Sequence, residues 1–360
     1  MQRTKPPFRA EHVGSLLRPP KLQEARGKFA AGALSADDLR KIEDVEIEKL
    51  VHKQSAYGLK LATDGEFRTA AGQLDFFTAL EGCEPDQAGG ALRVTGQLDF
   101  PDHHPVLAQF RFLQRHAEIA HVTPKLTIPS PALLHFRGGR DAISLEAYPS
   151  IGLFFEDLAK TYRRAVKALY EQGCRYLQVD DPVWARLGSE AERQMLRQRR
   201  DDAGNLQRVY ARVINYAIAE RPSDMVITSS AGRGEFRANW LVCGGYEPVA
   251  ETLLAGTNYD GYVLEFDCDG AGGFAPLRFL PKGNKIVVLG LIGATPGAPQ
   301  SKDDIKRQIA EAAKFVPLQQ LALSPQSGFA DVGAGDMVSE DEQWARLRLA
   351  VEVAQEVWGR

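Results

Sequence analysis

The sequence predicts an α/β fold of the (β/α)₈, or TIM-barrel, type, organised as a single domain over residues 1–360. Short apolar runs alternate with amphipathic helical stretches, the pattern of parallel strands joined by crossover helices. Several of those runs end in polar clusters, TDGE, VDDP, TSSAGRG, EFD and SPQSG. In a closed parallel barrel such ends share one face, the face that carries the active site. A doubly wound open sheet would want a Gly-rich phosphate turn after an early strand, and no GxGxxG opens a helix here.

The elements follow in order. A helix is expected from about Ser35 to Tyr57, with Ser35 as N-cap and Asp37 and Asp38 in the first turn. Leu39, Ile42, Val45, Ile47 and Leu50 supply helical spacing, and Gly58 stops it. LKLATDGEF then reads as a strand entering an acidic loop. The pattern repeats with a helix over 157–172, Gly173 as its stop, and the strand RYLQVDDP. It returns with a helix over 207–220 before DMVITSSAGRGEF, and in the strands GYVLEFDCDG, KIVVLGLIG and LALSPQSGF. The stretch 85–125, with Asp102, His103, His104 and Pro105, fits neither strand nor helix and reads as an insertion or a lid over the barrel mouth.

Composition excludes several classes of function. Hydrophobic residues make up 44% of the chain and charged residues 25%, enough to bury a large core without metal staples. Lys plus Arg (44) nearly balance Asp plus Glu (47), leaving a net charge of −3. No basic field is present to hold nucleic acid or an anionic membrane. Cys83, Cys174, Cys243 and Cys268 form no CxxC and no ladder, so free thiols in a reducing cytoplasm are expected. No apolar run approaches the length of a membrane span, and the N-terminus has no apolar h-region. The expected partner is a small molecule, and a homo-oligomer is compatible with the sequence.

Three clusters carry candidate chemistry. Glu11-His12-Val13-Gly14-Ser15 offers a Gly-Ser turn suited to a small anion, or an ordinary strand-to-loop turn. Thr63-Asp64-Gly65-Glu66 places two acids about a glycine, able to hold an ammonium or act as a base, or to pair with Arg68. Gln178-Val179-Asp180-Asp181-Pro182 delivers two carboxylates into one loop, and their repulsion implies a nearby amine, metal or arginine. Arg233 and Arg237 could clamp a carboxylate or phosphate, or pair with Glu235 or Glu265. Trp184, Phe236, Trp240 and Phe329 could stack on a flat substrate, or pack in the core.

HVGSLLRP, ATDGEFR, VDDPVWA, GRGEFRANW, LEFD with PLRFLP, VVLGLI and LSPQSGFA stand in order from about residue 10 to about residue 335. Together they resemble the short, single-barrel relatives of cobalamin-independent methionine synthase. The resemblance implies methyl transfer from a folate to homocysteine, with a zinc ion converting the thiol to a thiolate. The family's metal ligands, a His-x-Cys pair, a Glu and a Cys, fall on Ser230, Gly232, Glu265 and Ser327. One carboxylate with two hydroxyls is a poor zinc set, since such sites need about three or four Cys, His or carboxylate ligands. No metal or other cofactor is therefore expected, although Glu235, Asp267 or Cys268 could contribute a ligand. The resemblance further implies that Ser15 meets the substrate carboxylate, while Glu66 and Asp180 hold its ammonium.

Three functions are compatible with these residues. The first is methyl or alkyl transfer to a thiol, with an amino acid or thiol as substrate and a folate as a candidate donor. The second is zinc-independent acid–base chemistry, a lyase or hydrolase reaction using Glu265, Asp180, Asp181, Glu66 and His12. The third is binding of an amino acid or pterin without turnover.

Overall fold

A computed structural model gives the architecture, describing residues 1, 3–70, 72–86, 92–232, 235–236, 239–240, 245–266, 273–293, 300–326, 328–330 and 338–359, with side chains omitted at 235–236 and 239–240. The first half contains α1 (Pro20–Ala30), α2 (Ala36–Ala56), β1 (Leu61–Ala62), the short α3 (Leu74–Phe77), β2 (Glu81–Pro85), β3 (Leu92–Asp99) and α4 (Pro105–Ile119). β4 (Thr123–Pro124), β5 (Leu126–Pro129), α5 (Ala132–Phe136), α6 (Ile151–Glu171) and β6 (Tyr176–Asp180) follow. The second half contains α7 (Val183–Gly188), α8 (Glu190–Gln198), α9 (Ala203–Ile218), β7 (Val226–Ser230), the small ladder of β8 (Glu235–Phe236) and β9 (Asn239–Trp240), and β10 (Gly261–Glu265). β11 (Ile286–Ile292), α10 (Lys302–Ala312), β12 (Leu321–Pro325) and α11 (Glu340–Trp358) complete it.

β5, β6, β7, β10, β11 and β12 pair in parallel in that order. β1 pairs in parallel with β4, which runs on into β5. Residues 8–13 supply the remaining barrel strand: Ala10 bridges Leu323 in parallel, and Leu323 N–H donates to the Arg9 carbonyl. The product is a TIM barrel. Its interior centre is apolar, formed by Val13, Val263, Ile286, Val288 and Ala322. A larger apolar layer, including Leu177, Val179, Ile227 and Leu289, packs the outer strand faces against the helices.

Beneath that centre, Lys125 and Glu11 form a fully buried ion pair at 3.2 Å. Lys125 also donates to the His12 carbonyl, and Glu11 accepts from Phe8 N–H. The helix expected from Ser35 forms as α2, whose N-cap Ser35 accepts from Asp38 N–H. α6 begins at Ile151, earlier than expected, because Ser150 caps Leu153 N–H. α9 likewise starts behind Asp202, which caps Asn205 N–H.

The described residues of 85–125 are largely regular, where the sequence suggests neither strand nor helix. β2 and β3 form an antiparallel hairpin, and α4 is a barrel helix started by His104, whose Nδ1 accepts from Val106 N–H with Pro105 at the first helical position. The hairpin lies between β1 and α4 as an addition to the barrel repeat. Among the described residues, no helix is long and apolar enough to cross a membrane, and Cys83 and Cys174 are free and buried.

Candidate active site at the barrel mouth

Parallel pairing fixes which strand ends meet. Asp180 at the end of β6 is in register with Ser230 at the end of β7, and Ser230 with Val263, two residues before Glu265 on β10. Side chains alternate along a strand, so Asp180, Ser230 and Glu265 share the inward face with Val263. Gly290 of β11 lies opposite Glu265, where an added Cβ would stand 3.2 Å from the Leu264 carbonyl and 3.6 Å from Glu265 Cγ. Glycine there keeps the space beside the carboxylate open. Tyr246 Oη donates to the Ala231 carbonyl and accepts from Glu265 N–H, stapling the ends of β7 and β10 together.

The other side of the mouth is built from three loops. Leu16 N–H donates to the Gly65 carbonyl, and Phe329 N–H to the Ser15 carbonyl. Ser15 Oγ donates to the Ala330 carbonyl at 2.7 Å. That bond occupies its proton, so the hydroxyl would have to leave Ala330 to donate to a substrate carboxylate. Gly65 and Glu66 both have positive φ, 67° and 59°. Glu66 therefore sits in a conformation costly for a side-chain-bearing residue, held by its N–H bond to Asp64 Oδ1 and by Arg18, which donates to the Glu66 carbonyl.

The electrostatics single out this cluster. Burial, reinforced by Asp180 and Asp64 and opposed by Arg18, pushes the Glu66 carboxyl up to about 7. Burial pushes Asp180 up to about 6, opposed by the Gln73 amide, which donates to Asp180 Oδ2 at 2.6 Å. Arg137 in turn donates to Gln73 Oε1. Two poorly solvated carboxyls within electrostatic reach of each other make a site that gains from a cation or holds protons near neutrality.

Two expected site residues face elsewhere. His12 alternates with Glu11 and Val13 and points outward, where its buried ring bonds Gln54 of α2 through Nε2 at 2.8 Å. Burial, followed by the Lys125 charge, lowers its pKa to about 3, so it stays neutral. Asp181 follows Asp180 on the opposite face and accepts from the Trp184 indole at 2.8 Å. Desolvation dominates its rise to about 7, with Asp180 a lesser cause. The adjacent carboxylates therefore do not need a shared cation, which corrects the inference drawn from their adjacency.

Trp184 and Phe329 are buried packing residues. Arg233, Ser327, Arg237, Asp267 and Cys268, and the side chains of Glu235, Phe236 and Trp240, lie outside the described residues. Among the described residues, no three His, Cys, Asp or Glu side chains cluster as a metal site. Gln73 and Tyr246 carry no sequence signal that marks them as site residues, whereas Asp64 stands in the acidic cluster Thr63-Asp64-Gly65-Glu66. Arg18 stood inside HVGSLLRP, but nothing in its spacing showed that its guanidinium reaches the backbone of the Glu66 loop.

A parallel barrel with convergent acids at the carboxyl ends of its strands is the arrangement in which enzymes of the TIM-barrel class build their active sites. No family model matches the chain. The uncharacterised Bacillus subtilis proteins YxjH and YxjG are 44% and 42% identical to it, covering 98% and 99% of this chain and 96% and 97% of their own lengths. A Listeria monocytogenes protein provisionally described as a vitamin-B12 independent methionine synthase is 41% identical, with a TM-score of 0.84 over 99% of this chain and 100% of that one. A B12-independent methionine synthase from Shewanella sp. W3-18-1, solved with selenomethionine, shares the fold at a TM-score of 0.71 and 16% identity, over 97% of each chain. The chain belongs to the single-barrel cobalamin-independent methionine synthase-like proteins, a methyltransferase family.

Proposed function

We propose that the mouth binds an amino-acid-like substrate, with its ammonium between Glu66 and Asp180, and carries out methyl or alkyl transfer to a thiol without the family's metal. The observation carrying this reading is the acid pair, with carboxyls raised to about 7 and about 6. An ammonium supplies the countercharge that burial denies them. The donor set argues against zinc: Ser230 contributes a buried hydroxyl and Gly232 no side chain, leaving Glu265 as the described carboxylate. A thiol with a pKa near ~8.5 keeps its proton at neutral pH. Glu265 takes that proton as sulfur bonds the incoming alkyl carbon, and the donor leaves with the electron pair of its broken bond to that carbon.

A second reading, zinc-independent lyase or hydrolase chemistry, is favoured by the same raised carboxyls, which suit proton transfer near neutral pH. Calorimetric titration with L-homocysteine and L-methionine tests the binding step. Glu66→Gln and Asp180→Asn should each weaken binding by about 1–3 kcal/mol, the scale of a charge-assisted hydrogen bond. Wild-type affinity in both variants would remove the amino-acid site. Product analysis then separates the reactions: alkylated thiol supports transfer, and cleavage of an S-substituted amino acid supports the lyase.

A further inference from the structure

On the outer wall of the barrel, α2 and α4 flank a cavity of about 270 Å³ lined by Arg40, Asp44, Arg68, Ala108, Arg111, Phe112 and Arg115. Arg68 is nearly buried and ion-paired with Asp44 at 2.5 Å and Glu43 at 3.3 Å, and Arg26 also holds Glu43. Two acids and two guanidinium groups thus neutralise one another. Arg40, Arg111 and Arg115 are exposed, and Arg111 and Arg115 form no ion pair among the described residues, while the Arg40 charge reaches Glu43 without closing an ion pair. Arg111 donates to the neutral Gln172 amide, and Arg115 lies 5.7 Å from the Phe112 ring centre, which Arg68 also approaches at 5.0 Å.

Arg111 and Arg115 are four residues apart on α4, a like-charge spacing that disfavours the helix unless an anion lies between them. Phe112 and Ala108 give the cavity an apolar wall, which weakens solvent screening of the cations around it. Guanidinium groups present paired donors that match the oxygens of phosphate and carboxylate. We propose that this groove binds a multiply charged oxyanion, a phosphoryl group or clustered carboxylates, through Arg40, Arg111 and Arg115. Arg40, Arg111 and Arg115 lie on α2 and α4, outside the mouth acids, and the proposal does not depend on the reaction assigned there, although Arg68 of the groove wall acts electrostatically on Asp64 of the mouth loop.

The test is calorimetric titration of the whole protein with inorganic pyrophosphate and, separately, tricarballylate, each against a sodium chloride blank of matched ionic strength. Saturable binding that weakens as salt rises is expected for at least one. Tighter pyrophosphate binding assigns a phosphoryl ligand, and tighter tricarballylate binding assigns a carboxylate ligand. The double variant Arg111→Gln, Arg115→Gln should weaken the better anion by about tenfold or more. The matched control Arg208→Gln, Arg212→Gln, an exposed i,i+4 pair on α9, should leave it unchanged. Absence of saturable binding by either anion, full binding by the α4 variant, or equal weakening by the α9 control would overturn the proposal.

Discussion

Replacing Glu66 with Gln should stabilise the protein in alkali while weakening its affinity for a cationic ligand. The Glu66 carboxyl rises from 4.5 to about 7 on folding. At 1.36 kcal/mol per pH unit, that rise is about 3 kcal/mol. The folded chain therefore binds this proton more tightly than the unfolded chain. Its stabilising contribution is complete below about 4.5 and is lost as pH climbs through about 7. Glutamine keeps the shape of the protonated acid without titrating. Glu66→Gln should match wild type near about pH 4 and exceed it by about 1–3 kcal/mol near about pH 8, the lower values reflecting relaxation of Asp180 and Arg18.

Urea unfolding at the two pH values reads the difference. The same titration bears on ligand binding: affinity of the wild type for an amine should rise as Glu66 ionises, with proton release visible as a buffer-dependent heat. An equal stability difference at both pH values would refute the account, because it would mean that Glu66 does not carry a raised carboxyl. A pH-independent affinity would refute its role in cation recognition.

Gly65→Ala should cost about 1–2 kcal/mol, because its φ is 67° and the new Cβ would stand 2.6 Å from Leu50 Cδ2. Gly32→Ala, at φ 73° with open space around it, should cost less, and equal Tm losses would contradict the steric part. Lys125→Met should lose about 3–5 kcal/mol by leaving Glu11 buried without its countercharge, and adding Glu11→Gln should recover part of it in urea unfolding. The wild-type protein should purify with far less than stoichiometric zinc. Ser230→His with Gly232→Cys and Ser327→Cys should raise zinc content, and one equivalent near Glu265 in the wild type would return it to metal-dependent thiol alkylation.

The alternation of strands and helices was legible because strand ends carry abrupt apolar-to-polar changes and α2 carries its own cap. β4 and β5 were not, because Pro124, Lys125 and Pro129 interrupt the expected apolar run. Lys125 faces a buried partner, Glu11, more than 100 residues away in sequence, which no local pattern reveals. α4 is hidden because His104 is an uncommon cap, and of α6 the first turn alone is hidden, because Gly152 stands in it. At the site, motif position picked out Asp180, Ser230 and Glu265 on adjoining strands. Bonds made by Gln73, Arg18 and Tyr246 depend on loop packing and left no periodic signal.

The alternation of a single strand separates the two neighbouring aspartates, and this yields a sharp contrast. Asp180 faces the mouth and bonds the Gln73 amide, whereas Asp181 is buried on the other face and bonds the Trp184 indole. Both carboxyls are raised chiefly by desolvation, so titration alone would not distinguish a substrate-binding acid from a structural one. Geometry does. Asp181→Asn retains an oxygen for the Trp184 indole and should leave amino-acid affinity within about twofold, while Asp180→Asn should weaken it by about ten- to a hundredfold. Side-by-side titrations with L-methionine check this. Equal losses would show that both acids act on the same ligand and that the β6 alternation does not divide their roles. A loss confined to Asp181→Asn would move the site out of the barrel interior and into the layer between sheet and helices.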